Sequence, residues 1–237
     1  LRGDIPTDCT FPIPNQYRYA YELIEDIECG RVALPAMQRN FVWSENKICA
    51  LFESIMRDYP IGTFLFWGID QALFNKYVFN CFIKDYDEQL GKMQRGKRAV
   101  AIFSDYTAVL DGQQRITSLY MGIKGKYRTH IKGKAWDKSE SYVDRFLCID
   151  VMFTPKEEKS YPFEFVPLSK IGQYVTGESG EIEFWIKVSQ VFSEEDISNI
   201  PDIIDDIPDN SLFSQAMRKD ARKALQTLYK GLRIFQN

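Results

Sequence analysis

Histidine is nearly missing from this chain. His130 is the single one among 237 residues, which argues against catalytic triads built on a histidine base and against the usual histidine-bearing zinc sites. Cysteine is sparse as well. Cys9, Cys29, Cys49, Cys81 and Cys148 are odd in number, widely spaced and without a C-x-x-C pair, a usage that suits a reducing cytosol rather than a disulfide scaffold. We read each as a small core residue and expect a cytoplasmic protein. No apolar run approaches the roughly twenty residues needed to cross a bilayer. The longest, around Ile61 to Ile69, is broken by Gly62, Thr63 and Gly68, and the opening Leu1-Arg-Gly-Asp-Ile-Pro6 lacks the apolar segment of a secretory signal. No membrane association is therefore expected. The start at Leu1 and the close at Arg233-Ile-Phe-Gln-Asn237 within an apolar stretch are the pattern expected of one piece of a longer protein.

What is present begins with charge. The net charge is only −3, but it is unevenly spread: from Lys92 to Lys138 there are eleven Lys/Arg against three Asp/Glu, leaving nineteen against thirty elsewhere. Clustered positive charge raises the local anion concentration even on an acidic protein. The lysines from Lys124 to Lys138 are read equally well as a solvated loop.

Hydrophobic periodicity supplies the elements. Asn15 is placed to cap a helix with Tyr17, Ala20, Ile24 and Ile27 at helical spacing and Gly30 as its stop. An extended piece, Val32 to Met37, follows. Ser44 is placed to cap a helix with Ile48, Leu51, Phe52 and Ile55 on one face, closed before Pro60. Thr63 to Trp67 reads as a buried strand. Gln71 to Gly96 has no clear period. Ala99 to Phe103 and Thr107 to Leu110 read as strands joined by a tight turn at Ser104-Asp105, and Phe146 to Phe153, Phe163 to Pro167 and Phe184 to Val188 as further strands. Ser193-Glu-Glu-Asp196 suggests a helix start, and Ala216 to Leu232 a longer helix.

The candidate site is the junction Thr107-Ala-Val-Leu-Asp111-Gly112-Gln113-Gln114-Arg115. Ile116, Leu119, Tyr120 and Ile123 continue it as an amphipathic helix, with Gly125 as the stop. A strand running through a glycine turn into a helix leaves the first backbone N–H groups unpaired, and such a terminus attracts anions. Gly112 permits a positive φ or a close backbone approach. Arg115 sits in the first helical turn, where a cation is a poor match for the positive dipole end unless an external anion is also there. The competing interpretation has Asp111 as a plain helix cap and Arg115 paired with a carboxylate. Gln38-Arg39 forms a second polar cluster, in which arginine suits a phosphate oxygen and a nearby aromatic, Phe41 or Trp43, suits a base. Both aromatics fit a core role before the Ser44 helix as well.

Three ordered motifs carry a family resemblance: Leu34-Pro-Ala-Met-Gln38-Arg39-Asn-Phe-Val-Trp43, Ser54-Ile-Met-Arg-Asp-Tyr-Pro60-Ile61 and Val109-Leu-Asp111-Gly-Gln-Gln-Arg115-Ile-Thr-Ser-Leu119, with Phe184-Trp-Ile-Lys-Val188 as a later element. Together they resemble the N-terminal domain of GmrSD-type modification-dependent restriction proteins. The resemblance implies an α/β (α+β) fold similar to ParB and sulfiredoxin, a small mixed sheet with flanking helices over residues 1–190, followed by a helical extension over 191–237. It implies nucleoside triphosphate binding and hydrolysis in a DNA restriction and phage-defence system, with modified DNA and a separate His-Asn-His nuclease domain or subunit as partners, and leaves room for a homo-oligomer. On that basis Gly112, Arg115, Gln38, Arg39 and Trp43 are the nucleotide-binding candidates. Asp111 would hold Mg²⁺ or water, and Gln113 or Gln114 would orient the attacking water, since phosphoryl transfer depends mainly on positioning and charge stabilisation. A non-catalytic regulatory module binding nucleotide or DNA is the main alternative, and a nuclease in its own right the weaker one. Two positions depart from the pattern. Gln113 stands where sulfiredoxin has its reactive cysteine, and Ala36-Met37 where an aromatic often precedes Gln-Arg.

Other motifs compete weakly. Gly91-Lys-Met-Gln-Arg-Gly96-Lys97-Arg98 nearly matches a phosphate-binding loop, but Arg98 replaces the Ser/Thr that would hold Mg²⁺, and a strand rather than a helix is expected to follow. Asp150 with Glu157-Glu-Lys159 could be stretched to a metal-dependent nuclease signature, although Pro155 and the short loop fit it poorly. His130 lies among lysines with no obvious partner.

Overall fold

A computed structural model describes residues 20–154 and 162–233 of the chain. The Asn15 cap, Tyr17, Cys9, Pro155, the Glu157 to Lys159 cluster and the last four residues lie outside that range. In chain order the described elements are α1 (Ala20–Cys29), β1 (Val32–Pro35), α2 (Glu45–Met56), β2 (Leu65–Asp70), α3 (Gln71–Lys76), β3 (Phe79–Asn80), β4 (Tyr86–Asp87), β5 (Asp105–Asp111), α4 (Gln113–Ile123), β6 (Tyr127–His130), β7 (Tyr142–Asp150), β8 (Phe163–Pro167), β9 (Tyr174–Thr176), β10 (Ile182–Lys187), α5 (Val188–Ser193), α6 (Ile200–Asp205) and α7 (Gln215–Arg233), with short 3₁₀ turns between some of them. The architecture is α+β, with two mixed sheets.

The first sheet has the order β2-β5-β1-β3, with β5 parallel to β1 and the outer pairings antiparallel. Successive residues of β5 point to opposite faces. Val109 therefore joins the main core, while Tyr106 and Ala108 join a smaller cluster with Ala33, Ile69, Phe74 and Phe79. The second sheet runs β4-β6-β7-β10-β9, with β8 also paired to the long strand β7.

Helix α4 packs against α2, α5 and β7. Its apolar residues repeat as the sequence indicates, yet it is buried on almost every side from Ile116 to Ile123 rather than amphipathic. Burial of its polar positions is made tolerable by back-bonding, because Thr117 Oγ1 donates to Gln113 O and Ser118 Oγ to Gln114 O, both at 2.8 Å. Gly122 lets the helices approach, since a Cβ there would press on the Phe52 ring and Leu147. Helix α7 lies against α2 and α1 and contributes Leu225, Leu228 and Leu232 to the same main core. Arg218, buried on α7, donates to the carbonyls of Ile204 at 2.9 Å and of Ile207 and Pro208 at 3.1 Å, tying α7 to the end of α6.

Four expectations need correction. The segment expected as a buried strand at Thr63 to Trp67 begins at Leu65, runs to Asp70 and forms a sheet edge, with Leu65 and Trp67 exposed. Ala99 to Phe103 is not a strand. It lies across the smaller cluster, held by Tyr106, whose hydroxyl accepts from the Ile102 and Phe103 N–H groups. Ser193 to Asp196 starts no α-helix: Ser193 ends α5, and Asp196 caps a 3₁₀ turn by accepting from Ser198 N. His130 has partners, described below.

Asp150 is a buried carboxylate at the end of β7. Its Oδ1 accepts from the N–H groups of Met152 and Phe184, both at 3.0 Å. Burial outweighs these bonds and pushes its pKa up to about 6. Because this exceeds the unfolded value near 4, the folded chain retains the proton longer. The stability Asp150 contributes is full below pH 4 and is lost as pH rises through 6. Asp150→Asn keeps an acceptor for both N–H groups without the charge. We expect it to match the parent near pH 4 and exceed it by roughly 1–3 kcal/mol at pH 7 in urea unfolding; an equal difference at both pH values would contradict this.

Candidate functional site

The site forms where the end of β5 meets the loop after β1. Gly112 is the N-cap of α4 with φ 90° and ψ 5°, a left-handed conformation that favours glycine. Space demands glycine too, because a Cβ there would overlap the edge of the Phe64 ring. Among the described residues no side chain caps this terminus. The first-turn N–H groups of Gln113, Gln114 and Arg115 have no partner within the helix, a consequence of helix geometry.

Three glutamines join this turn to the Leu34 to Trp43 segment. Gln38 Nε2 donates to Val109 O at 2.5 Å and Leu110 O at 3.2 Å. In the opposite direction, Gln113 Nε2 donates to Arg39 O at 2.5 Å, and Gln114 Nε2 to Asn40 O at 3.0 Å. Gln114 Oε1 also accepts from Val42 N at 2.9 Å. The two sequence motifs, some seventy residues apart, are thus one physical unit. Gln38 Oε1 is buried and has no hydrogen-bond partner among the described residues.

Arg115 faces the end of the Ser54 to Ile61 motif. Its Nη1 donates to Ile61 O and its Nη2 to Thr63 O, each at 2.7 Å, while Asp111 Oδ2 lies 3.4 Å from Nη2. The guanidinium also sits 4.8 Å from the centre of the Phe64 ring. Gly62, at φ +83°, leaves the room that the guanidinium fills. The dipole mismatch seen in the sequence is therefore met in part by two loop carbonyls and a carboxylate. Asp111 is 70% exposed, so its ion pair is worth at most about 1 kcal/mol.

Arg39 is exposed and has no ion-pair partner among the described residues. It lines a solvent-open cleft with Gln38, Asn80, Arg95, Gln113 and Thr117. Arg95 reaches across this cleft, its Nε donating to Asn40 Oδ1. Cys81 also lines it, but burial pushes its thiol pKa up and away from a reactive thiolate. Trp43 is half-buried against the main core, and Phe41 is buried edge-on to Tyr86. The structure thus brings Gln38, Arg39, Asp111, Gly112, Gln113, Gln114 and Arg115 together, and seats Trp43 in packing.

Sequence reasoning missed Gly62, Phe64 and Arg95. Gly62 had a readable signal, directly after the Pro60-Ile61 motif; the partners of Phe64 and Arg95 are too distant in sequence to infer. The near-match to a phosphate loop at Gly91 to Arg98 takes another form. Its first part is a 3₁₀ turn, and Gly96 to Ala99 runs beside Phe79 to Cys81, with Cys81 N donating to Lys97 O at 2.8 Å and Ala99 N to Phe79 O at 2.9 Å.

The junction makes a direct prediction. Gln114 is buried, and removing its amide takes away the bonds it makes with Val42 N and Asn40 O, at about 1–3 kcal/mol for each group that stays buried and unsatisfied. Gln114→Ala should lose roughly 2–4 kcal/mol in urea unfolding and speed amide exchange at Val42. Gln113→Ala, which removes one exposed bond, should cost under about 1 kcal/mol. Equal losses for the two variants would refute the asymmetry.

A stretch of 102 residues is 35% identical to Uncharacterized protein MJ0686 of Methanocaldococcus jannaschii, covering 43% of this chain and 16% of that protein. The aligned stretch is thus a small part of the relative's length. Residues 20–237 match the family model described as GmrSD restriction endonuclease, N-terminal domain. Since that match begins with α1 and takes in every motif of the junction, the chain belongs to the GmrSD restriction endonuclease N-terminal domain family.

Proposed function

We infer that this chain is the nucleotide-binding regulatory part of a cytoplasmic DNA restriction protein acting in phage defence, and that a nucleoside triphosphate docks its phosphates at the start of α4. One observation carries this reading: an uncapped helix terminus behind a left-handed glycine lies beside an exposed, unpaired arginine, and three glutamines hold the two together. Helix N–H groups and a guanidinium are a complementary donor set for phosphate oxygens. The order of strand, glycine turn and helix supports the resemblance to a ParB/sulfiredoxin-like nucleotide site.

In this reading Gly112 and the N–H groups of Gln113, Gln114 and Arg115 bind one phosphate. Arg39 adds a second contact, and Arg115 offers the N–H groups its loop carbonyls leave free. Magnesium arriving with a nucleotide needs only one or two protein carboxylates, and exposed, loosely paired Asp111 fits that need. The ion would neutralise charge on the phosphate oxygens. A nuclease domain or subunit, modified DNA and a homo-oligomer belong to the same reading of the larger protein.

A specific observation favours binding without turnover as the second reading. Gln113 and Gln114, the candidates for orienting an attacking water, already use their amides to hold the Arg39 to Val42 backbone. Retained in the bound state, those bonds make the module a nucleotide sensor.

Titration of fluorescent ATP, GTP, CTP and UTP with Mg²⁺, paired with phosphate-release assays, tests both readings. The parent chain should bind at least one nucleotide. Arg39→Ala should weaken binding at least tenfold, as expected for loss of a charge-assisted bond of roughly 1.5–3 kcal/mol, without lowering the melting temperature. Asp111→Asn should abolish the affinity gained from Mg²⁺. Phosphate release separates hydrolysis from sensing, and no binding of any of the four nucleotides by the parent refutes both.

A further inference from the structure

The β6–β7 hairpin carries an unusual surface. Between His130 and Tyr142 the chain reads Ile131-Lys-Gly-Lys-Ala-Trp136-Asp-Lys-Ser-Glu-Ser141, and residues 132–140 are all exposed. Trp136 is 63% exposed. A large aromatic left so open ordinarily seeks cover, yet this one is fixed in place. Its ring stacks on His130 with centroids 3.8 Å apart and planes within 4°. Tyr142 stands edge-on to both rings and donates its hydroxyl hydrogen to Trp136 O at 2.8 Å.

The rest of the hairpin is equally well secured. His130 Nε2 lies 3.0 Å from Lys134 O, and His130 N donates to Glu88 Oε2 at 2.6 Å. Arg128 Nη2 donates to Ser139 O at 2.9 Å, and Ile131 N to Ser141 O at 2.7 Å. His130 covers one face of the indole, so the exposed area lies on the other. Lys132, Lys134 and Lys138 flank Trp136 along the same hairpin loop, all exposed and none with an ion-pair partner among the described residues. By contrast, Lys126 and Arg128 farther down the strand are paired with Asp144 and Asp87. A preset aromatic face on a loop that also carries three exposed lysines is the donor set of a nucleic-acid strand site, where phosphates meet cations and unstacked bases meet rings.

We propose that this hairpin binds single-stranded DNA, with an unpaired base stacked on the free face of Trp136 and the flanking phosphates held by Lys132, Lys134 and Lys138. Charge complementarity selects the occupant: the three cations stand in the one strongly basic stretch of an otherwise acidic chain. The stacked histidine gives the indole its pose before binding, so little ordering is required when a base arrives. None of these residues belongs to the α4 junction, so the nucleotide reading and this site can fail separately.

The test is fluorescence anisotropy of the full chain with a labelled DNA of roughly twenty nucleotides, single-stranded and as a duplex, across a salt series. The single strand should bind more tightly than the duplex. Replacing Lys132, Lys134 and Lys138 together with glutamine should weaken single-strand binding at least about tenfold and reduce the salt slope by about two, the expectation for three lost phosphate contacts. Trp136→Ala should weaken the single strand by roughly five- to one-hundred-fold and leave the duplex nearly unchanged. Should Trp136→Ala misfold, the lysine variant, which touches only exposed side chains, still decides. No binding by the parent, an unaltered affinity in the lysine variant, equal losses of single strand and duplex in a folded Trp136→Ala, or a preference for phosphatidylserine-rich vesicles over DNA would each overturn the proposal.

Discussion

Three glutamine amides tie the two halves of the candidate site to each other. The loop after β1 and the turn before α4 share the main core through Phe41 and Val109, and beside it they open onto a cleft that carries polar residues of both. Beyond the β1–β5 pairing, the two are joined by Gln38 donating to the last carbonyls of β5 and by Gln113 and Gln114 reaching back to the Arg39 to Val42 backbone. A primary amide can donate and accept at once, and Gln114 does both. A glutamate would retain the acceptor but lose the donor, which gives this pair of glutamines a physical reason beyond composition.

Arginine plays a related part. Arg115 gathers Ile61 and Thr63 carbonyls onto the first turn of α4, and Arg218 gathers carbonyls at the end of α6. A rigid fork of five donors suits irregular backbone that no strand or helix satisfies. The outcome at the site is a division of labour between two cations. Arg115 is half spent on holding a loop, whereas Arg39 faces solvent with its donors available.

Much of this was legible in the sequence, and the exceptions share a cause. The β5–Gly112–α4 junction could be read because a β-rich run, a glycine and a helical period follow one another without interruption. Helices α2 and α7 were legible for the same reason. Thr63 to Trp67 was misjudged because an apolar run does not reveal whether a strand lies at the centre or edge of its sheet. Ala99 to Phe103 has strand-like composition, yet Tyr106 takes its N–H groups. Arg115 stands out in the sequence as a cation at a positive dipole end, and the structure gives it Asp111, as the competing interpretation has it, plus two carbonyls more than fifty residues away, beyond the reach of local pattern. His130 appeared solitary for a simpler reason: the ring it stacks on is six residues ahead, in a loop with no periodicity to announce it.

We propose that the glutamine-held junction is the place where a nucleotide's phosphates dock. Hydrogen–deuterium exchange resolved to single amides, with and without a saturating nucleoside triphosphate and Mg²⁺, addresses it most directly. Slowed exchange at the Gln113, Gln114 and Arg115 amides, strongest among all protected positions, is the predicted result. Nucleotide-induced protection elsewhere, with those three amides unchanged, would contradict it.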